Sequence, residues 1–351
     1  MTQKVAVIGS GSWGTAVTRL LAAHVDEVVI WSFEEVVAKG INERRHNPHQ
    51  LTDYRVEDNV RATCSFEDAT RDAQAIVVVV PSPFLRSTCA SLAPHVEPDV
   101  PVLVLTKGVE RDTGCLMADV VEQELGGPDR IAVLSGPNHA EEICRGTISA
   151  AVVASRNEEV AAQFRDLLVC PVFRVYVSDD VVGVEVCAAE KNVIAVACGI
   201  TAALGAGDNT LAVLMTRGLA EVSRIAVAMG GDPLTCMGLA GMGDLVATCT
   251  SRHSRNRTFG EAFAKGESLE DYESRTGMVV EGAQAACSIL ALARKKGIEV
   301  PITQAVNAIL YEGVSLDVAR DALLGRRSRE EFYGVTDAVR PQPNVLDEER
   351  S

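Results

Sequence analysis

Three glycines near the N-terminus have a spacing that can bind a diphosphate. Gly9, Gly11 and Gly14 form a G-x-G-x-x-G pattern that follows an apolar run and precedes a segment with helical spacing. In such a loop the first glycine makes the tight turn, the second lets the backbone approach a pyrophosphate, and the third allows close helix–strand packing. The N–H groups of the following helix then face the phosphates. The pattern predicts a dinucleotide site; the alternative is a glycine turn that binds nothing.

A lysine in the second half of the chain can serve as an acid and a base. Lys191 shares one face of a predicted helix with Cys187, Ile194 and Cys198, so its neighbours there are apolar. Burial lowers the pKa of a lysine toward values useful for proton transfer. The alternative is a lysine whose stem covers apolar surface while its ammonium reaches water. Glu190 is the next residue but points roughly 100° around the helix, so it need not pair with Lys191.

Positive charge is concentrated in the segment SRHSRNR, although the formal net charge of the chain is −15. The basic residues of this cluster are Arg252, His253, Arg255 and Arg257. Arg255 offers a planar fork of donors and Asn256 an amide, which together suit a phosphate. Ser254 can cap the next helix or donate to the same phosphate. The alternative is a solvated basic loop.

Two further charged residues stand at positions where a ligand can reach them. Lys107 follows a predicted strand, at the edge where a doubly wound sheet binds ligands, although a surface lysine is an alternative there. Asp244 follows Gly243 and can hold Lys191 or a substrate hydroxyl. An ordinary loop or helix-capping aspartate is the alternative for Asp244.

The end of the second predicted strand bears on the choice between NAD and NADP. Ser32, Phe33, Glu34 and Glu35 stand there, and Glu34 lies 20 residues after Gly14, where an acid that binds the ribose 2′-hydroxyl is expected. The first basic residue is Lys39. This favours NADH use; the alternative is that Glu34 only begins a helix.

The elements that must position these residues fall into two groups. Apolar runs alternate with helical segments up to about residue 178, which predicts a parallel sheet covered on both faces. Long helices are predicted after that, with a loop at Gly238, Gly241 and Gly243. We therefore expect an α/β protein with a Rossmann-type dinucleotide-binding domain (1–178), an all-α substrate domain (179–330) and a loosely ordered tail (331–351).

Composition narrows the classes of function. A chain with a net charge of −15 repels nucleic acid and anionic membranes, so we expect a small-molecule substrate and no nucleic-acid partner. No apolar run approaches 18 residues and the N-terminus lacks the features of a secretory signal, which predicts a cytoplasmic protein without membrane insertion. The ten cysteines form no C-x-x-C pair and no histidine pair has zinc spacing, so we expect buried free thiols and no metal.

Several segments, taken together, resemble bacterial NAD(P)-dependent glycerol-3-phosphate dehydrogenase. The matching stretches run from about Lys4 to Arg327 in the family's order: VAVIGSGSWGTA, VVVVPS, LTKGVE, LSGP, EKNVIA, TRGLAE, GLAGMGDLVATCTS, SRNRTFG, VVEG and PIT. The resemblance implies a dehydrogenase that interconverts glycerol 3-phosphate and dihydroxyacetone phosphate with NAD or NADP. It also implies a supply of glycerol 3-phosphate for glycerophospholipid synthesis, and we expect a homodimer.

The resemblance assigns roles residue by residue. Lys191 is the implied catalytic proton donor and acceptor. Besides the glycine loop, the implied cofactor contacts are Ser12, Trp13, Phe33, Lys107, Ala140, Arg255, Val279 and Glu281. The implied substrate contacts are Lys107, Gly136, Asn138, Lys191, Asp244, Ser254, Arg255 and Asn256. The sequence departs from the family at three positions: Asn138 replaces a small hydroxyl residue, Phe33 an often basic one, and Glu190 a usually apolar one.

Two other functions compete with this interpretation. A different two-domain dehydrogenase, acting on a hydroxy acid or sugar acid, would share the glycine loop but would not need SRNR or LTKGVE. A non-enzymatic dinucleotide sensor would not need a lysine on an apolar helical face. Oxidation of NADH with dihydroxyacetone phosphate separates the three.

Overall fold

The computed structural model describes residues 3–335, and within them a single sheet of eight strands organises the first half of the chain. The sheet order is β3-β2-β1-β4-β5-β6-β7-β8. The strands are β1 Lys4–Ile8, β2 Glu27–Trp31, β3 Val60–Thr63, β4 Ala75–Val78, β5 Val102–Val104, β6 Ile131–Ser135, β7 Ser149–Ser155 and β8 Phe173–Ser178. The strand order reverses between β1 and β4, which is the point where doubly wound sheets bind ligands.

The sheet is mixed, whereas the sequence had predicted a parallel one. All adjacent strands pair in parallel except β6 and β7, which are antiparallel, with Val133 opposite Ala154. β7 follows the short helix Ala140–Arg145 and runs beside β6 in the opposite direction. An apolar run indicates burial but carries no information on strand direction, which is why this part of the prediction was wrong.

Helices cover both faces of the sheet. They are α1 Ser12–Ala22, α2 Glu35–Arg44, α3 Phe66–Thr70, α4 Ser82–Leu92, α5 Met117–Leu125, α6 Ala140–Arg145 and α7 Glu158–Leu168. Single turns of 3₁₀-helix occupy Ala93–His95 and Pro128–Arg130. β1 and β4 are buried on both sides, as their continuous apolar sequences predict.

The second half is helical, as predicted, and is arranged around one long helix. The helices are α8 Val181–Ala203, α9 Asp208–Ala228, α10 Pro233–Met237, α11 Asp244–Thr250, α12 Arg255–Phe263, α13 Leu269–Thr276, α14 Glu281–Lys296, α15 Pro301–Tyr311 and α16 Leu316–Leu324. α8 is buried along most of its length, and its N-terminus is capped by Asp180, which accepts a hydrogen bond from Gly183 N at 2.8 Å. It is the central helix on which α9, α12 and α14 pack.

The predicted loop at Gly238, Gly241 and Gly243 is instead a segment of π-helix, Leu239–Gly243, that leads into α11. A Cβ at Gly241 would stand 2.0 Å from the carbonyl oxygen of Cys236, so only glycine fits this close approach. Such π segments are frequent at functional sites. Gly241 therefore serves a tight helical junction, and the prediction of a loop was wrong for Leu239–Gly243.

The remaining expectations concern membranes, thiols and the tail. Among the described residues, no helix is both long and apolar enough to cross a membrane. All ten cysteines are free thiols; five are buried, and Cys64 is exposed. Of the predicted tail, residues 331–335 form a turn in which the Tyr333 ring lies 4.5 Å from the Arg224 guanidinium. Residues 336–351 lie outside the described residues.

Candidate active site

Lys191 lies at the junction of the two halves and contacts an acidic residue. Its Nζ donates to Asp244 Oδ1 and, at 3.2 Å, to Thr248 Oγ1. Only 7% of the Lys191 side chain is exposed, and 3% of Asp244. α8 supplies the lysine, and α11 supplies both of its partners. The ammonium therefore points into an enclosed polar centre and not into solvent.

Two side chains that lie at the ends of strands also contact the Asp244 carboxylate. Lys107 Nζ, just beyond β5, lies 3.3 Å from Asp244 Oδ2, and Ser135 Oγ, at the end of β6, donates to the same oxygen at 3.1 Å. The two strands adjoin in parallel, so their carboxyl ends meet at one edge. The structure thus brings together three of the residues predicted from the sequence: Lys107, Lys191 and Asp244.

The charges of this centre determine its protonation. Burial would raise the pKa of Asp244, but the positive charges of Lys107 and Lys191 outweigh it and lower that pKa to about 2. Burial has the largest effect on Lys191 and lowers its pKa; Asp244 opposes this, Lys107 adds to it, and the result is about 8. Lys191 can therefore give up and regain a proton near neutral pH beside a permanently ionised carboxylate.

The tight packing of α12 and α14 against α8 positions the remaining predicted substrate residues. A Cβ at Gly199 would stand 2.0 Å from Arg257 O, and one at Gly282 would stand 2.4 Å from Asn192 O. Asn256 is buried and its Oδ1 accepts from Gly282 N at 2.8 Å. Glu281, the first residue of α14, accepts a hydrogen bond from Asn192 Nδ2 at 3.1 Å. These glycines bring the N-termini of α12 and α14 against the helix that carries Lys191.

Some residues of the basic cluster are exposed, and others form hydrogen bonds or ion pairs within the chain. Arg252, His253 and Arg255 are exposed, whereas Arg257 donates to Thr250 O and pairs with Glu261 at 3.0 Å. Ser254 caps α12, because its Oγ accepts from Arg257 N at 3.3 Å. Within residues 3–335, no hydrogen bond or ion pair joins the Arg255 side chain to another predicted site residue.

The glycine loop has the geometry that a dinucleotide requires. A Cβ at Gly9 would lie 2.8 Å from Val79 O, and one at Gly14 only 2.0 Å from Gly9 O, so both glycines are needed for packing. A Cβ at Gly11 would have no atom of the described residues within 4 Å, apart from its neighbours in the chain. Glycine at that position therefore leaves space for a group outside the chain, which fits the backbone approach of a pyrophosphate. In the part of the chain that the structure describes, no side chain caps the N-terminus of α1, so its N–H groups are available to an anion.

Side chains around the loop hold it in place. Ser12 Oγ donates to Gln50 Oε1 at 2.6 Å, and Trp13 Nε1 donates to the carbonyl oxygen of Asn138 at 2.9 Å. Asn47, which is fully buried, donates through Nδ2 to Ser10 O and to Thr15 Oγ1.

Two of the predicted positions, Gly136 and Ala140, flank the segment after β6. Gly136 has φ +152°, and a Cβ there would lie 2.7 Å from Ala150 O. Ala140 is buried as the first residue of α6. Between them, Asn138 is buried and its Nδ2 has no hydrogen-bond partner among the described residues. A buried amide without a partner is costly, which makes this nitrogen available to a ligand oxygen.

The part of the predicted cofactor site that would hold the adenosine is more exposed to solvent. The Phe33 side chain is 87% exposed, just after β2. Glu34 does not contact the glycine loop through its carboxylate but pairs with His49 Nδ1 at 3.0 Å. Val279 is half-buried and lies two residues before the start of α14.

Glu190 faces away from Lys191, as the helical spacing predicts. It is fully buried and contacts Thr303 Oγ1, which also donates to Glu221 Oε1 at 2.7 Å. One hydroxyl proton cannot serve two carboxylates, so one of the two acids must itself carry a proton. Burial and the neighbouring Glu221 raise the pKa of Glu190 well above its usual value, in agreement with this.

Four residues of the site escaped the sequence analysis. Ser135, Thr248 and Asn192 contact the site residues directly, and His139 Nε2 lies 3.4 Å from Ala247 O beside them. Burial and the charge of Lys191 lower the pKa of His139. A signal existed for Thr248, which stands four residues after Asp244 and so on the same helical face.

The comparisons with known proteins agree with this geometry. Family models described as the N-terminus and C-terminus of NAD-dependent glycerol-3-phosphate dehydrogenase match residues 4–161 and 180–321. The glycerol-3-phosphate dehydrogenase [NAD(P)+] of Pelotomaculum thermopropionicum is 44% identical over 95% of this chain and 97% of its own. The corresponding protein of Streptomyces griseus is 46% identical over 93% and 98%.

A solved structure shows the same architecture. The crystal structure of glycerol-3-phosphate dehydrogenase from Coxiella burnetii superimposes with a TM-score of 0.89 at 35% identity, and the match covers 93% of this chain and 99% of that one. The resemblance found from the motifs is thereby confirmed. The chain belongs to the NAD-dependent glycerol-3-phosphate dehydrogenase family.

Proposed function

We propose that this chain is an enzyme that interconverts sn-glycerol 3-phosphate and dihydroxyacetone phosphate with NAD or NADP. The observation that carries the proposal is the buried Lys191, bonded to Asp244 and next to a second lysine. The printed names of the relatives support the same reaction. A sensor that only bound a dinucleotide would gain nothing from placing a lysine of lowered pKa at this junction.

Lys191 is the proposed acid and base. During reduction its ammonium donates a proton to the substrate carbonyl oxygen, and during oxidation the neutral amine accepts the hydroxyl proton. Asp244 holds Nζ in place and stays ionised throughout. Lys107 adds positive charge beside the oxygen that becomes negative during reduction. The nicotinamide cofactor supplies or accepts the hydride.

The substrate phosphate is proposed to bind at the N-terminus of α12. Arg255 is exposed there and Asn256 is fixed by its bond to Gly282 N, so the arginine fork can close over a bound phosphate. Asn138 Nδ2, buried without a partner, is a further donor for the substrate. Ser254 and Gly136 are assigned to this pocket by the resemblance. Binding energy from the phosphate then positions the carbonyl for reaction.

The cofactor is proposed to lie across the carboxyl edge of β1 and β4. Its pyrophosphate would rest on Gly9, Gly11 and Gly14 and on the N–H groups of Ser12 and Trp13. The adenosine would face Phe33. Ala140, Val279, Glu281, Lys107 and Arg255 are the other proposed contacts of the cofactor.

Oxidation of NADH in the presence of dihydroxyacetone phosphate tests the proposal. We expect turnover with this substrate and a large preference over dihydroxyacetone, because the phosphate contributes charge-assisted bonds. The variant Arg255→Ala should lose much of that preference, while Arg174→Ala, at an exposed position on β8, should keep it. An absence of turnover with dihydroxyacetone phosphate would refute the proposal, and an unchanged preference in Arg255→Ala would move the phosphate toward Lys107.

The wider setting follows from the same assignment. We propose a cytoplasmic homodimer that supplies glycerol 3-phosphate to glycerophospholipid synthesis. The net charge of −15 supports a small anionic substrate held by a local basic pocket, and not a nucleic-acid partner. Sedimentation of the purified chain measures the oligomeric state directly.

A further inference from the structure

A cavity of about 740 Å³ lies within the helical half, apart from the site described above. Helices α8, α9, α15 and α16 line it together with residues 326–331 and Tyr333. None of the residues assigned to substrate or cofactor lines it. Its volume falls within the range of ordinary small-molecule pockets, about 300–1,000 Å³. The structure therefore contains a second cavity, open to solvent on one side, that is large enough for a ligand.

The walls of this cavity are mainly aliphatic. Ile200, Leu214, Val306, Ile309 and Leu323 lie along it. At its opening Leu204, Val213 and Leu324 are 54%, 61% and 77% exposed. Three large apolar side chains exposed around one opening are costly unless something covers them. The shape and composition of the walls suit an aliphatic chain.

The opening is rich in arginine, although the chain as a whole is acidic. The arginines that line the cavity are Arg217, Arg224, Arg320, Arg326, Arg327 and Arg329, and two acids, Glu330 and Glu331, line it as well. Arg320 pairs with Asp317 and Asp321, and Arg326 and Arg329 pair with Glu299, so these three are largely neutralised.

Two of these arginines have N–H donors that bond to no acceptor among the described residues. Arg224 is 5% exposed, and its Nη1 is buried with no hydrogen-bond partner in the part of the chain that the structure describes. Its nearest carboxylate oxygen, on Glu221, is 3.9 Å from Nη2. Arg327 is exposed and bonds to no other residue between 3 and 335. A buried guanidinium nitrogen without an acceptor is the expected mark of an absent anion.

We infer that this cavity binds a small amphipathic anion: one aliphatic chain that carries a single phosphate or carboxylate head group. The chain would lie against the aliphatic walls, and the head group would accept hydrogen bonds from Arg224 Nη1 and Arg327. Phosphate and carboxylate both match the planar donors of arginine.

The occupied cavity would also act on the helix that carries Lys191. Ala197 and Ile200 of α8 line the cavity, one to three turns beyond Lys191. Arg224 faces Glu221, and Glu221 shares Thr303 Oγ1 with Glu190, the residue next to Lys191. An anion that binds Arg224 would neutralise part of the positive charge that stabilises the ionised forms of Glu221 and Glu190. We therefore expect occupancy to change turnover as well as to give a binding signal.

Calorimetric titration of the full chain tests the inference with defined probes. Octyl phosphate should bind saturably with one molecule per chain, and glycerol 3-phosphate should not displace it. Octanoate distinguishes the two head groups, since the tighter binder identifies the natural one. Because 1-octanol lacks the charge, it should bind at least about tenfold more weakly. Displacement by glycerol 3-phosphate, or equal binding of octanol, would overturn the proposal.

Variants locate the binding within the cavity. Ala305→Trp places a large ring in the space and should abolish binding of octyl phosphate. Arg327→Ser removes an exposed charge at the opening and should weaken binding by about tenfold. Arg174→Ser, on β8, is the matched control and should change nothing. Unchanged dissociation constants in both cavity variants would place the ligand elsewhere. If octyl phosphate fails to bind and Ala305→Trp dissociates an oligomer, the cavity is an interface between copies of this chain.

Discussion

At the scale of single residues, the site depends on an imbalance of charge around Asp244. Two lysines share one carboxylate in a place where little of any of them reaches solvent. Burial is the main reason that the pKa of Lys191 is lower than that of a free lysine; Asp244 opposes this effect, and the positive charge of Lys107 adds to it. Removing Asp244 or Lys107 should therefore change the pKa of Lys191.

The most direct prediction at this scale concerns Lys191. Lys191→Ala removes the proposed proton donor and should lower kcat by about 10²–10⁴-fold, while NADH binding stays nearly intact because the glycine loop is untouched. Steady-state kinetics and fluorescence titration of NADH measure the two effects. Lys295→Ala, at an exposed position on α14, is the control. A Lys191→Ala enzyme with more than half of the original activity would disprove the assignment.

The pH dependence should follow the same residue. Oxidation of glycerol 3-phosphate needs neutral Lys191, so kcat should rise with pH and level off above about 8. Reduction needs the ammonium and should fall above the same pH. Asp244→Asn removes the carboxylate that raises the pKa of Lys191. In this variant the pH at which kcat reaches half of its maximum should therefore be lower in both directions. Rate profiles between about pH 6.5 and 9.5 measure this, and parallel profiles for the two directions would contradict it.

Part of this residue-level picture could be predicted from the sequence. The apolar neighbours of Lys191 indicated burial, and Asp244 was recognised as a possible partner. Ser135 was not, because its bond to Asp244 joins residues 109 positions apart, and no local pattern encodes such a contact. The capping role of Ser254 was one of two options, and the structure shows the cap.

At the scale of elements, the glycines of the loop are present for two different physical reasons. Gly14 permits the contact of α1 with the loop itself, whereas Gly11 faces open space. The stability of the fold and the affinity for the cofactor are therefore separable by mutation.

Two matched substitutions test this separation. Gly11→Ala should leave the melting temperature of the unliganded protein unchanged, because its φ of −67° suits alanine and its Cβ meets nothing, but it should weaken NADH binding. Gly14→Ala should cost at least about 1–3 kcal/mol of stability through the clash with Gly9 O. Thermal denaturation and NADH titration give both readouts. A Gly11→Ala protein that melts early but binds NADH normally would reverse the argument.

The end of β2 carries a prediction about the cofactor. A 2′-phosphate requires Arg or Lys close by, and the structure offers exposed Phe33 and the Glu34–His49 pair instead. The enzyme should use NADH at least as well as NADPH, and Phe33→Arg should shift the preference toward NADPH. Ile148→Arg, at a similarly exposed position, is the control. A kcat/KM about tenfold or more in favour of NADPH for the unaltered enzyme would show that the ribose is recognised by other residues.

Two strands, β3 and β8, lack the apolar run by which the sequence predicts a buried strand. β3 alternates buried and half-buried residues, and β8 places Arg174 and Tyr176 on its open face. Both are edge strands, so they lack the continuous apolar run that marks β1 and β4. Apolar runs identify the strands at the centre of a sheet better than those at its edges.

At the scale of the whole molecule, the two halves share their apolar cores. Val181 and Val184 of α8 and Ala240 of the π segment pack with strand residues such as Ile76 and Val104. Conversely, two residues of the first half, Val109 and Leu116, pack into the core of the helical half. Polar contacts cross as well, since Glu185 accepts a hydrogen bond from Ala118 N at 2.9 Å. The proposed reaction centre is therefore built at a seam that neither half completes alone.

Shared cores predict that the chain unfolds as one cooperative unit. Calorimetry should show a single transition, because neither half keeps its buried surface when the other unfolds. Saturating NADH binds only the folded chain and should move the whole transition upward by a few degrees. The Gly11→Ala variant, with an unchanged transition but weakened cofactor affinity, should show a much smaller shift at the same NADH concentration. Two separate transitions, with only the lower or the upper one responding to NADH, would mean that the cofactor stabilises the sheet domain alone and that the lysine centre joins two independent domains.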